Sequence, residues 1–215
     1  EKLFAAYQPF AHVKRFVMGH FEVEGIEILD RALAGGNGAI LATAHFGAVE
    51  FIPWVIGLRG YPLDVIMECA TTRLRAALEE KTQYLDVRLY GSDDGESVLF
   101  RALRTLGENR LLMTECDEVD SWHRRRNRVI TLFGRNLYFD TTLNLLARRS
   151  NAPVIGVFLR RTGFMKYKIV FEDVSVIRAT DNVARDTLVL WERYVSREPE
   201  QWYQWKKWQE MKVAS

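Results

Sequence analysis

Short apolar runs recur along this chain at intervals of about 25 residues, and stretches with helical spacing separate them. Residues 39–44, 63–67, 87–90 and 110–114 have the length and apolar character of buried strands, while 72–84 and 97–106 repeat their apolar residues at helical intervals. Strand and helix alternating in this way build a sheet from right-handed crossover units. The expected fold class is therefore α/β, with a mixed, mostly parallel sheet flanked by helices.

The second half continues the pattern with one change of direction. Residues 129–133 and 136–139 read as two strands joined by a Gly134-Arg135 turn, 141–149 as a helix, and 153–160 as an apolar strand. Residues 166–171 return antiparallel after Thr162-Gly163, and 182–196 form a long amphipathic helix. Trp202, Trp205 and Trp208 then fall three residues apart, as on one helical face. Their spacing suits a buried core or an interfacial anchor with tryptophan at headgroup depth.

Nothing divides the 215 residues, of which 48% are apolar, into separate units: no low-complexity tract or Pro/Ser-rich linker occurs. A single domain over 1–215 is expected, with 1–20 as an N-terminal amphipathic helical segment that Pro9 kinks or restarts. That segment suits packing on the core, although its aromatic content also suits a membrane surface. Cys69 and Cys116 form no CxxC and have no histidine at metal-ligand spacing, so neither a disulfide framework nor a metal site is expected. No apolar run is long enough to span a bilayer. The first residue is Glu1 rather than methionine, which leaves room for a preceding anchor.

The sharpest chemistry lies where the first buried run meets a turn. Residues 39–54 deliver His45 to a Gly47 turn, and Glu50 follows in the next helical pattern. A strand that ends in histidine places an imidazole at the carboxyl edge of a sheet, where open α/β folds carry out chemistry. An imidazole that is neutral near pH 7 can take a proton from a hydroxyl, and a carboxylate on its other nitrogen fixes the tautomer. No serine or cysteine sits in a nucleophile elbow, so the nucleophile is expected from a substrate. The Gly47 turn is a candidate source of backbone donors for an oxyanion. Phe46, Phe51 and Trp54 are candidates to line an apolar groove.

From 115 to 128 the periodicity stops. Glu115, Asp117 and Glu118 precede His123 and the arginines Arg124, Arg125, Arg126 and Arg128, as in a loop at the carboxyl end of a strand. Between Arg101 and Lys168 fourteen Lys/Arg stand against six Asp/Glu, although the whole chain is nearly neutral at +2. That local excess suits an acidic headgroup, an anionic membrane surface or the acidic face of a carrier protein, besides the plain reading of a solvated basic face. Nucleic acid is not expected, since no binding module or aromatic interleaving accompanies the arginines. Cys116 is not expected to act as a nucleophile, because the neighbouring carboxylates oppose the thiolate.

Several segments together resemble a known family. ATAHFGAVEF at 42–51, LRGYP at 58–62, Phe133-Gly134-Arg135, LARRSNAPV at 146–154 and Pro199-Glu200-Gln201-Trp202 occur in the order and spacing of the late lipid A biosynthesis acyltransferases. These belong to the glycerolipid acyltransferase superfamily, and the likeness runs from about Val23 to Trp208. It implies a glycerolipid acyltransferase-like fold and a His-x4-Asp/Glu pair at His45 and Glu50. The histidine would activate a hydroxyl of a membrane glycolipid, and the glutamate would orient it. The acyl donor would be a thioester of an acyl carrier protein or of coenzyme A, with no other cofactor.

The resemblance also implies substrate contacts. They fall on Phe46, Gly47, Glu115, Asp117, Phe133, Gly134, Arg135 and the start of the next helix at Thr141, while the local charge excess adds Arg124, Arg125, Arg126 and Arg128 as candidates for anionic groups. The cytoplasmic face of the bacterial inner membrane would be the place of work, reached peripherally or through an anchor outside this sequence. Two departures stand out. Glu115-Cys116-Asp117 replaces an Asp-Gln-Asp, and Met67-Glu68 stand where an arginine is expected, a role that Arg73 is placed to take. They keep open an acyltransferase with another acceptor (a different glycolipid, an aminolipid or a secondary metabolite) and a non-catalytic lipid- or carrier-binding protein.

Overall fold

In the computed structural model, which describes residues 2–67, 69, 71–91, 95, 97–118, 128–174 and 182–210, the N-terminal segment forms two helices, α1 (Lys2–Tyr7) and α2 (Phe10–His20). Pro9 directly precedes α2, so it starts a new helix rather than kinking a single one. Strand β1 (Phe21–Glu24), helix α3 (Glu27–Ala34) and strand β2 (Ala39–Thr43) follow. A single 3-10 turn (Val49–Phe51) leads into α4 (Ile52–Gly57), which accommodates Pro53 in its first turn. The alternation continues through β3 (Leu63–Ile66), α5 (Thr72–Thr82), β4 (Val87–Tyr90), α6 (Val98–Gly107) and β5 (Leu111–Glu115). Beyond it come the hairpin β6 (Val129–Leu132) and β7 (Arg135–Tyr138), then α7 (Thr142–Ser150). The antiparallel pair β8 (Val154–Gly163) and β9 (Lys166–Asp173) precedes α8 (Val183–Arg197), a 3-10 turn (Pro199–Gln201) and α9 (Trp205–Glu210).

Among the described residues, seven strands make one sheet in the order β1-β9-β8-β2-β5-β3-β4. Every neighbouring pair is parallel except β8 with β9, as expected of a mostly parallel sheet with one reversal after Thr162-Gly163. Both faces are covered, which is why its central strands read as continuous apolar runs instead of alternating ones. Along β2, Ala39 and Leu41 pack into one core with Leu29, Phe51, Ile52 and Val55, beneath α2, α3 and α4. Ile40 and Ala42 point the other way, with Leu106, Leu146, Leu188 and Trp191 of α6, α7 and α8.

The tail belongs to this second core. Trp202 and Trp208 are buried, and with Trp205 they close around Phe133 and Trp191 at ring-centroid distances of 4.7 to 6.3 Å. Core packing therefore accounts for them. They do not share one helix, however: Trp202 is extended and precedes α9.

Candidate active site

At the carboxyl edge β2 ends between β8 and β5, and the chain turns over β8 immediately after His45. Gly47 makes that turn possible. Its φ is +64°, and a Cβ there would lie 1.8 Å from the carbonyl oxygen of Leu159. The backbone N–H groups of the turn are already committed: Phe46 donates to Ala44 (2.6 Å), Gly47 to Gln201 (2.8 Å) and Ala48 to Leu159 (3.0 Å). The expected supply of oxyanion donors from the Gly47 turn is thus corrected, because these donors hold the turn to its neighbours.

His45 is fixed from the next strand. The N–H of Cys116 donates to the carbonyl of Thr43 (2.7 Å), which carries the β2–β5 ladder one step further and brings Asp117 beside the imidazole. His45 Nδ1 lies 3.0 Å from Asp117 Oδ1, and the His45 backbone N–H donates to Oδ2 at 3.0 Å. The indole Nε1–H of Trp202 donates to the same Oδ2 at 2.7 Å, so the fully buried carboxylate carries three hydrogen bonds. On the other side of the ring, Nε2 faces Glu115 at 3.4 Å and Glu118 at 3.5 Å.

Burial alone would lower the pKa of His45. The hydrogen bond and charge of Asp117, helped by the charges of Glu115 and Glu118, outweigh it and raise the value from 6.5 to about 9. Nε2 of His45 and the carboxylates of Glu115 and Glu118 lie within 4.8 Å of one another. The imidazolium balances these acids directly. Cys116 behaves as expected: burial first, then the charges of Asp117 and Glu115, push its thiol well above the ordinary range.

His45, Glu115 and Glu118 line a cavity of about 720 Å³. Its apolar wall is formed by Trp54, Val65, Met67, Leu78, Leu89 and Met113, and its polar lining includes Glu50, Asp140 and Thr142. Glu50 thus shares the cavity with His45, but no hydrogen bond joins them among the described residues. One buried oxygen of Glu50, Oε2, has no partner among those residues. The carboxylate on Nδ1 is that of Asp117, which corrects the expectation that Glu50 occupies this place.

The remaining candidates scatter. Trp54 lines the cavity, whereas Phe46 is buried against Phe158 and Tyr194 and Phe51 lies in the opposite core, which corrects the groove drawn from the three aromatics. Arg73 is exposed above the Tyr7 ring, outside the cavity lining. Phe133, Gly134 and Arg135 support the tail: the N–H of Phe133 donates to Glu192, and Arg135 donates to the carbonyl of Trp208. Thr141 precedes α7, and its neighbour Thr142 is the one that reaches the cavity. Arg128 joins the hairpin through its carbonyl, which accepts from Phe139. Arg124, Arg125, Arg126 and His123 lie outside the described residues, as does Glu68. Pattern alone missed Glu118 beside Nε2 and Trp202 on Asp117.

The model of the bacterial lipid A biosynthesis acyltransferase family matches residues 8–209. The chain belongs to this family. It is an acyltransferase acting on lipids, and the match covers nearly the whole sequence. Among solved structures, this acyltransferase is similar to the 1-acyl-sn-glycerophosphate acyltransferase PlsC from Thermotoga maritima, at 12% identity, with 94% of this chain and 88% of that one covered and a TM-score of 0.48. A comparison with curated protein sequences gave no match. No helix of the acyltransferase, among the described residues, is long and apolar enough to cross a membrane.

Proposed function

We propose that the protein moves a fatty acyl group from the thioester of an acyl carrier protein or coenzyme A to a hydroxyl of a lipid A-type glycolipid, with His45 as general base. The observation that carries this reading is the imidazole held by Asp117 through Nδ1, with Nε2 beside a cavity that has an apolar wall. In its neutral form Nε2 takes the proton of the acceptor hydroxyl as that oxygen attacks the thioester carbonyl. The tetrahedral intermediate then collapses, the carbon–sulfur bond breaks, and the departing thiolate receives the proton from the imidazolium. Asp117 orients the ring and stabilises its charged form. The acyl chain lies along Val65, Met67, Leu78 and Leu89, where apolar burial stabilises it by roughly 0.8 kcal/mol per methylene. No cofactor beyond the thioester takes part. The site works on the cytoplasmic face of the inner membrane, where donor and acceptor meet.

A second reading concerns the acceptor. Among the described residues, the cavity lining contains Glu50, Glu115, Glu118 and Asp140 but neither lysine nor arginine. That lining favours an acceptor bearing an amine near its hydroxyl, as in an aminolipid, over one bearing a phosphate there.

The deciding experiment incubates membrane lipid extract with labelled acyl carrier protein or labelled acyl coenzyme A, with the parent protein and with His45→Ala. A newly labelled lipid, formed by the parent and strongly reduced with the variant, is expected, and its mass identifies the acceptor. Near-normal transfer by His45→Ala would overturn the base assignment.

A further inference from the structure

The carboxylate that orients His45 is itself held by the C-terminal tail. Gln201 accepts from the Gly47 N–H (2.8 Å), and Tyr203 donates its N–H to the carbonyl of His45 (3.0 Å). Phe46 and Trp202 form an antiparallel bridge between these two bonds. The tail is fastened in turn to β8, because the Gln201 side chain accepts from the Arg161 N–H (2.8 Å) and donates to the Arg161 carbonyl (3.1 Å). Residues 201–203 are therefore a strap pinned across the His45 turn, and the Trp202 indole reaches through to the buried side of Asp117.

From this geometry we infer that Trp202 is a positioning residue: its indole N–H holds Asp117 in the rotamer that presents Oδ1 to His45 Nδ1. The inference rests on the reading of His45 as the base. Only 2% of Trp202 is exposed, and Asp117 is wholly enclosed. Water therefore cannot replace the indole as the donor to Oδ2. The backbone N–H of His45 supplies the other bond to that oxygen, so the strap and the turn grip the carboxylate from two sides. A buried aromatic cluster would be served equally well by phenylalanine at 202. A tryptophan whose single polar side-chain atom meets the carboxylate on Nδ1 does more than fill space.

Without that donor, Asp117 is released from the rotamer that presents Oδ1 to Nδ1, the contact that raises the His45 pKa weakens, and the ring gives up its proton at lower pH. Among the described residues, the charged groups around the ring are Glu115, Asp117 and Glu118 at the end of β5, Lys207 of α9 at 3.6 Å from Glu118, and Glu50 in the cavity wall. All of them remain when the indole N–H alone is removed.

Two variants test the inference: Trp202→Phe, and replacement of Trp202 by 3-benzothienylalanine, which keeps the shape of the indole and puts sulfur where the N–H stands. The second guards against a phenylalanine variant that fails to fold. Two readouts are used, the titration of the His45 ring followed by NMR in the protein without substrate, and kcat and KM for acyl transfer. The His45 titration is expected to move to lower pH in both variants, and kcat to fall about 10- to 100-fold at little change in KM, the worth of a hydrogen bond to a charged group. A titration in the benzothienyl variant that stays in place or moves up, or a loss confined to KM, would overturn the inference. A downward-shifted titration combined with a His45→Ala protein that still turns over would sink the base assignment and leave the hold of Trp202 on Asp117 standing.

Discussion

His45 Nδ1 and Asp117 Oδ1 lie 3.0 Å apart although 72 positions separate the two residues in the chain. Glu50, only five residues from His45, borders the same cavity without bonding to the ring. The two carboxylates therefore have separable duties, and substitution should tell them apart. Asp117→Asn removes the charge and presents the ring with an amide that can stabilise the wrong tautomer, so kcat should fall roughly 100- to 10,000-fold. Glu50→Gln leaves the imidazole held and should act mainly on KM for the acceptor. Steady-state kinetics on the two variants check this, and equal losses of kcat in both would contradict the division.

The pH dependence follows from the same contacts. A base must be neutral, and with its pKa raised to about 9 only roughly one His45 in a hundred is neutral at pH 7. The kcat/KM profile should therefore rise with pH and level off above about 9, where the free protein has lost that proton. Asp117→Asn should lower the plateau and move the rising limb to lower pH, because the strongest raising contact is gone. The stability effect has the opposite sense. A raised folded-state pKa means that the ion pairs of His45 contribute fully below about 6.5 and are lost as pH climbs through about 9. The gap in denaturant midpoint between the parent and His45→Gln should narrow over that window.

Periodicity made most of the sheet legible. Buried parallel strands are apolar on both faces, so 39–44 and 110–114 stand out without knowledge of their partners. Pro9 and Pro53 likewise marked helix starts, since a proline nitrogen has no hydrogen to lose there. The site was less legible because its key pairing is made across strands. The family resemblance implied Glu50 as the partner of His45, but the 3-10 turn that carries Glu50 places it in the cavity wall. Asp117 reaches the ring only because β5 lies beside β2 in a particular register, which neither strand announces. The tail misled for a related reason. A repeat of three among the tryptophans suggested one helix, but the chain is extended at Trp202 (φ −92°, ψ 131°), where it bridges Phe46.

Gly47 offers a test of the turn itself. Alanine there must adopt a φ of +64° and place its methyl 1.8 Å from the Leu159 oxygen, so the turn would have to lift off β8. Backbone strain and overpacking together should destabilise the fold by about 2–5 kcal/mol. Gly36 serves as the control, because it also has positive φ (+77°) but nothing lies within 4 Å of an added Cβ. Gly36→Ala should cost only about 1–2 kcal/mol for the left-handed backbone. Urea unfolding of both variants checks the contrast, and equal losses would mean that contact with β8 contributes nothing.

The opposite end of the sheet provides a purely structural counterpart. Asp64, wholly buried near the start of β3, accepts from Arg110 Nε at 2.7 Å and from Thr105 Oγ1 at 2.6 Å. Arg110 is also buried, and it donates to Asp86 and to the carbonyl of Leu63. The network lies at the level of Ile40 on β2, about five residues and so about 16 Å of strand from His45. Removing one partner of a buried ion pair leaves the other charge unmatched, so Asp64→Ala should lower unfolding stability by about 3–5 kcal/mol. Because the strand between the two ends is packed on both faces, kcat measured well below the unfolding temperature should stay within about twofold of the parent. Denaturant unfolding and initial rates on one preparation test both halves of this prediction. A large fall in kcat at unchanged stability would show that this network reaches His45 through β2.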